Sequence, residues 1–175
     1  MKKALCCVVW VLVALGAARS QDRIEAFGGY SYQRLQSTGS VTNVNVNGWN
    51  GALTLKHHWI GATADFSGLY GTPTVATIPV HVHQHNFLFG PQVSVHLWKV
   101  QPFAHALFGV TRLRQEAGTT SATSTDFATA LGGGVDVGVW PHLAVRVGQV
   151  DYFRTNYTNN TQNSVRVSAG LVARF

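Results

Sequence analysis

The chain has 175 residues, 46% of them hydrophobic and only 11% charged, with a formal charge of +6 and two cysteines. Its start has the three-part layout of a secretory signal: Lys2 and Lys3, an apolar run over 4–15, then Gly16, Ala17, Ala18 and Ser20. Cleavage after Ser20, with Ala17 or Ala18 as alternatives, would remove Cys6 and Cys7, which excludes disulfide, thiol and cysteine–metal chemistry; at Ser20 the charge falls to +3 as Lys2, Lys3 and Arg19 depart.

The remaining Lys and Arg are spread singly, so the clustered basic footprint of a nucleic-acid binder is missing and no nucleic-acid partner is expected. The expected organisation is a signal peptide over 1–20 and one domain over 21–175. After residue 20 no stretch approaches the roughly 20 apolar residues of a spanning helix. A membrane-embedded domain would therefore have to be a closed β-barrel, the other structure that satisfies every backbone group in lipid.

Period-two alternation, the mark of a strand with two unlike faces, recurs eight times. Residues 24–33 set Ile24, Ala26, Gly28, Tyr30 and Tyr32 against Glu25, Phe27, Ser31 and Gln33. In 48–57, Trp49, Leu53 and Leu55 oppose Asn50, Ala52, Thr54 and Lys56. In 60–70, Ile60, Ala62, Ala64, Phe66 and Tyr70 oppose Thr63, Asp65 and Ser67. The fourth strand, 85–95, places Phe87, Phe89, Val93 and Val95 against Asn86, Gln92 and Ser94.

The fifth, 100–113, turns Ala104, Ala106, Phe108 and Val110 outward and His105 and Thr111 inward. The sixth, 126–139, faces Phe127, Leu131, Val135, Val137 and Val139 outward with Asp136 inward. In the seventh, 143–155, Arg146 and Gly148 share one parity while Gln149 and Asp151 share the other. Either Asp151 lies at the outer interface or a bulge near Gly148 switches the parity; the bulge is preferred. The eighth, 163–175, sets Val165, Val167, Ala169, Leu171, Ala173 and Phe175 against Arg166, Ser168, Gly170, Val172 and Arg174.

Connections one, three, five and seven (34–47, 71–84, 114–125 and 156–162) are long and rich in Thr, Ser, Asn and Gly, while the other three shrink to a few residues. Long loops outside and short periplasmic turns are the pattern of an outer-membrane barrel. Trp59, Trp98 and Trp140 fall in the three short turns and are expected to form a periplasmic aromatic girdle. Trp49, Tyr30, Tyr32, Tyr70, Phe153 and Tyr157 are expected at the outer interface.

The stretches E-A-F-G-G-Y-S-Y (25–32), P-F-A-H-A-L-F-G (102–109), A-L-G-G-G-V-D-V (130–137) and the terminal strand resemble the small eight-stranded outer-membrane barrels of the OmpA/OmpX type. The resemblance covers 24–175. It implies an all-β fold, an eight-stranded antiparallel up-and-down transmembrane β-barrel after an N-terminal signal peptide, in the bacterial outer membrane with lipid around it. The larger OmpA-like proteins append a peptidoglycan-binding domain; nothing here follows Phe175, so that anchoring role is not carried over. Phe175 on the lipid-facing parity resembles the assembly signal through which the outer-membrane assembly machinery recognises a C-terminal strand.

The assigned parity turns Glu25, Lys56, Asp65, His105, Asp136, Arg146, Arg166 and Arg174 inward as an interior polar network. Eight strands leave room for little besides side chains, and an unpaired buried charge is costly, so these groups are expected to pair into a seal. His81, His83 and His85 alternate onto one face where a long connection enters the fourth strand, and form a weak metal candidate. A hydrolase would need a nucleophile beside a positioned base. His105, with Asp136 as a possible neighbour, finds no convincing serine, and Ser94 is a poor fit.

No cofactor and no enzymatic activity are expected. The function expected is structural or surface-interacting, presented on four extracellular loops that hold no motif naming a ligand. The alternatives are a small ion or solute channel, and a soluble periplasmic lipocalin-like barrel with the faces inverted.

Overall fold

Eight two-faced strands leave no raw edge only if the last pairs with the first. A computed structural model of the protein describes residues 22–35, 44–71, 74–75, 78–79, 81–117, 120–157 and 160–175, so the expected signal segment lies outside the described residues. Eight long strands are present: β1 (Asp22–Leu35), β2 (Val44–His57), β3 (Ile60–Gly71), β4 (His81–Ser94), β5 (Val100–Ala117), β6 (Thr120–Trp140), β7 (Leu143–Tyr157) and β8 (Asn160–Arg174). Each pairs antiparallel with its neighbour in sequence, and β1 pairs with β8 to close the barrel. The closing register sets Glu25 opposite Arg174 and Leu35 opposite Ser164. Reciprocal backbone bonds of 3.2 and 2.9 Å between Ile24 and Phe175 extend the seam by one step. Thr74–Val75 and Ile78–Pro79 form a separate two-residue ladder between β3 and β4 in the chain.

The fold is the antiparallel eight-stranded barrel expected from the alternation. Several strands run further than expected at one end. β4 begins at His81, and β5 and β6 stay paired beyond Arg112↔Thr125 to Ala117↔Thr120. Much of the polar fifth connection is therefore the arm of a hairpin. Threonine suits a pleated surface because its branched Cβ packs well there, and polarity alone does not distinguish a loop from a strand that leaves the apolar zone.

The outer face carries the large apolar side chains, among them Leu53, Phe87, Phe89, Phe108, Leu131 and Leu171, all exposed. Phe66 and Phe87 meet edge to face across β3 and β4, their centroids 5.6 Å apart. The inner face buries Glu25, Lys56, Asp65, Asp136, Arg146 and Arg166. The lipocalin-like alternative required the opposite arrangement and is not the one observed. The lumen is nevertheless not uniformly polar. Leu88, Leu107, Phe153, Ala128 and Ala130 pack as one apolar cluster, and Phe27, Ala52, Ala144 and Val172 as another.

On β7 the two open readings resolve to a bulge. The ladder to β6 steps from Val135↔Gly148 to Asp136↔Arg146, leaving Val147 as the extra residue. The ladder to β8 is interrupted at the same place, between Ser168 and Gly170. Val147 faces out, while Ala144 and Arg146 below the bulge and Gln149, Asp151 and Phe153 above it all turn in. Phe153, expected at the outer interface, is thus a correction: the bulge places it inside and fully buried, and Tyr152 takes the outer position.

Candidate functional site

At the centre of the lumen Arg166 of β8 is completely buried. Its Nε and Nη2 donate to Asp151 Oδ2 at 2.9 and 2.7 Å. Across the barrel its Nη1 and Nη2 donate to Asp65 Oδ1 and Oδ2 at 2.9 and 3.2 Å, and Nη1 also reaches Ser67 Oγ at 3.1 Å. One guanidinium therefore ties β8 to β7 and to β3, using the fork geometry that suits carboxylates. The Phe153 ring lies 5.3 Å from its Cζ.

Asp151 is the hub. Gln149 Nε2 donates to its Oδ2 at 2.8 Å, and His105 Nε2 lies 2.8 Å from its Oδ1. His105 and Asp151 stand on β5 and β7, and they meet over Gly132 of β6, where a Cβ would lie 2.1 Å from Asp151 Oδ1. Glycine is required there by the close approach. Asp136, a possible neighbour of His105 from sequence, is not its partner; Asp151 takes that place because the bulge turns it inward.

Arg146 extends the network. It donates to Gln149 Oε1 at 2.7 Å and, through Nε and Nη2, to both oxygens of Asp136 at 2.8 and 3.1 Å. Its guanidinium carbon lies 4.3 Å from the Phe27 ring centroid and 4.2 Å from that of Phe103, a cation between two aromatic faces. Near the turn end Glu25 serves two cations: Lys56 Nζ at 2.6 Å and Arg174 Nε at 3.3 Å, with Gln101 Nε2 donating to Oε1 at 3.3 Å. All eight residues singled out from sequence as an interior network lie inside. Asp151 joins them, and among the described residues the buried charged set becomes four acids (Glu25, Asp65, Asp136, Asp151) and four bases (Lys56, Arg146, Arg166, Arg174) beside His105. Period-two parity alone could not place Asp151; the polar residues on both parities of 143–155 were the one signal available.

Trp59, Trp98 and Trp140 stand at the turn end, exposed, with Lys99 Nζ 5.0 Å from the Trp98 ring. His58 and Trp98 hold φ of 59° and 54° in their turns, a left-handed conformation that is unusual for so bulky a residue as tryptophan. Tyr30, Tyr32, Trp49 and Tyr70 are exposed toward the opposite end, and Tyr30 faces Trp49 in the register. The side chain of Tyr157 lies outside the described residues. Phe175 faces outward at the turn end.

His83 and His85 lie on the outer face of β4, their rings edge-on to Tyr70 at 5.4 and 6.0 Å. The side chain of His81 is outside the described residues. Among the described residues no group of three His, Cys, Asp or Glu is placed to hold a metal.

No protein-family model matches the chain, and no curated protein matches it in sequence. Solved structures do. Neisserial surface protein A superposes with a TM-score of 0.68 at 13% identity, over 89% of this chain and 98% of that one. Ail, the attachment invasion locus protein of Yersinia pestis, gives 0.63 at 15% identity, over 89% and 100%. The N-terminal β-barrel domain of Pseudomonas aeruginosa OprF gives 0.56 at 6% identity, over 89% and 98%. The chain thus has the fold of the small outer-membrane β-barrels.

Proposed function

We propose that this is an exported, non-enzymatic protein of the bacterial outer membrane, with a structural or surface-interaction role and a sealed interior. The observation that carries the proposal is the sorting of the wall: large apolar side chains on the outside, and within it four acids and four bases in mutual contact. An exterior of that kind is stable in lipid and unstable in water. Residues 1–20 fit a cleaved export signal in this scheme, and the short turns face the periplasm with their tryptophans at the inner interface.

Placing a charge on the lipid face tests the location. Ala106 faces outward opposite Leu131, so Ala106→Arg is expected to cost about 2–4 kcal/mol in a folding titration into bilayers. No loss would mean that this face does not meet lipid.

The seal is tested by single-channel recording of the folded protein in a planar lipid bilayer. With insertion verified independently, the trace is expected to stay silent. Reproducible openings altered by Asp136→Ala would replace the sealed structural role with transport. Catalysis finds no support in the geometry. His105 and Asp151 are buried, Arg166 and Gln149 occupy the other oxygen of Asp151, and among the described residues no serine bonds to His105.

We also assign β8 as the strand presented to the assembly machinery, on the strength of the outward Phe175. Phe175→Ala is expected to lower the folded outer-membrane level several-fold in a fractionated immunoblot. Wild-type levels would remove that role.

A further inference from the structure

The charge balance of the lumen is uneven along its length. Toward the turn end the barrel opens into two hollows of about 610 and 470 Å³ that share Arg23 and His96 in their walls. Among the described residues, their charged lining consists of Arg23, Lys56, Lys99 and Arg174 against Glu25 alone. A carboxylate at Phe175 would still leave an excess of two positive charges.

Two of these cations are buried and compete for one acid. Lys56 Nζ and Arg174 Nε both approach Glu25, at 2.6 and 3.3 Å, with side chains only 5% and 10% exposed. Arg174 Nη2, also buried, has no hydrogen-bond acceptor among the described residues. A buried charged donor without an acceptor is disfavoured, and Arg174 lines an open hollow whose wall also holds Arg23 and Lys99. Arg23 is exposed at the mouth and has no ion-pair partner among the described residues. Trp59, Trp98 and Trp140 surround this end, and such belts mark the level of lipid headgroups.

We propose that the turn-end mouth is a binding site for a phosphate-type oxyanion, with Arg174 and Lys56 as its floor and Arg23 and Lys99 as its rim. The forked guanidinium of Arg174 matches tetrahedral oxyanions, and several converging cations favour a multiply charged one over a single carboxylate. The same chemistry is offered by free phosphate and by the phosphodiester of an anionic lipid. Only the lipid source rests on the membrane placement proposed above.

The test uses the folded protein in detergent and in phosphatidylcholine nanodiscs, without and with phosphatidylglycerol. Inorganic phosphate is titrated while tryptophan fluorescence is recorded, and phosphatidylglycerol retention is measured by native mass spectrometry. Saturable phosphate binding, weakened at least five-fold by Arg23→Gln and by Lys99→Gln, identifies a free-anion site. Selective phosphatidylglycerol retention lost in the same variants, without phosphate binding, identifies a headgroup site. Both residues are exposed, so these variants test the site without disturbing the seam.

The proposal is overturned if neither ligand binds saturably, or if Arg112→Gln, at the other end of the barrel, weakens binding as much as Arg23→Gln. Failure of the protein to insert into nanodiscs would refute the membrane placement, while the detergent titration would still decide the anion site.

Discussion

Arg166→Met is expected to lower folding stability by about 3–5 kcal/mol, measured by urea unfolding of the barrel in lipid vesicles, because it strips the cation from a buried ion cluster. Asp65 and Asp151 would each lose charge-assisted bonds that Arg166 now supplies from a fully buried position. Among the described residues neither carboxylate has a second arginine to turn to: Asp151 keeps only His105 and Gln149, and Asp65 keeps Asn50, whose Nδ2 donates at 2.9 Å. Removing the acids together with the base separates orphaned charge from lost packing. The triple variant Arg166→Met, Asp65→Asn, Asp151→Asn is expected to recover most of the loss, since neutral replacement of a whole buried ion set is often tolerated. A single variant within about 1 kcal/mol of wild type would mean that water reaches both carboxylates, and the sealed lumen would fall with it.

The second large effect is expected at Arg146. Arg146→Ala removes both bonds to Asp136, which is fully buried, and empties the slot between Phe27 and Phe103. The expected loss is again about 3–5 kcal/mol. Arg146→Lys should not restore it, because an ammonium can neither fork onto two oxygens nor stack as a plane between two rings. A double-mutant cycle with Asp136→Asn measures the pair itself. A coupling near zero would show that Arg146 acts through its aromatic packing, with the ion pair incidental.

Seven of the eight strands could be assigned a lumen face from alternation alone, since an extended chain cannot put neighbouring side chains on one side. Glu25, Lys56, Asp65, His105, Asp136, Arg166 and Arg174 follow from that rule. What alternation could not supply is seen on β7. One extra residue at Val147 turns Asp151 and Phe153 into the lumen beside Arg146, where parity had left Asp151 undecided and Phe153 outside. The polar residues on both parities of 143–155 favoured a bulge near Gly148, but the residue that forms it depends on what the two flanking strands pair with. The paired arms of β5 and β6 were missed for a related reason: their Thr and Ser side chains have the composition of a loop, and their pairing is a property of the partner strand.

Pairings inside the lumen belong wholly to the closed barrel. Asp65 and Arg166 are 101 positions apart in the chain, and His105 reaches Asp151 by passing over Gly132 rather than by adjacency. Which acid meets which base depends on the closing register of β1 and β8 and on how far each side chain extends across a narrow lumen. Local periodicity and composition were enough for the strand count, the sorting of faces on seven strands and the placement of the tryptophan turns. The tertiary structure decided which residue forms the bulge, the balance of four acids against four bases among the described residues, and the surplus of positive charge at the turn end, because all three require distant strands to be brought round into one wall.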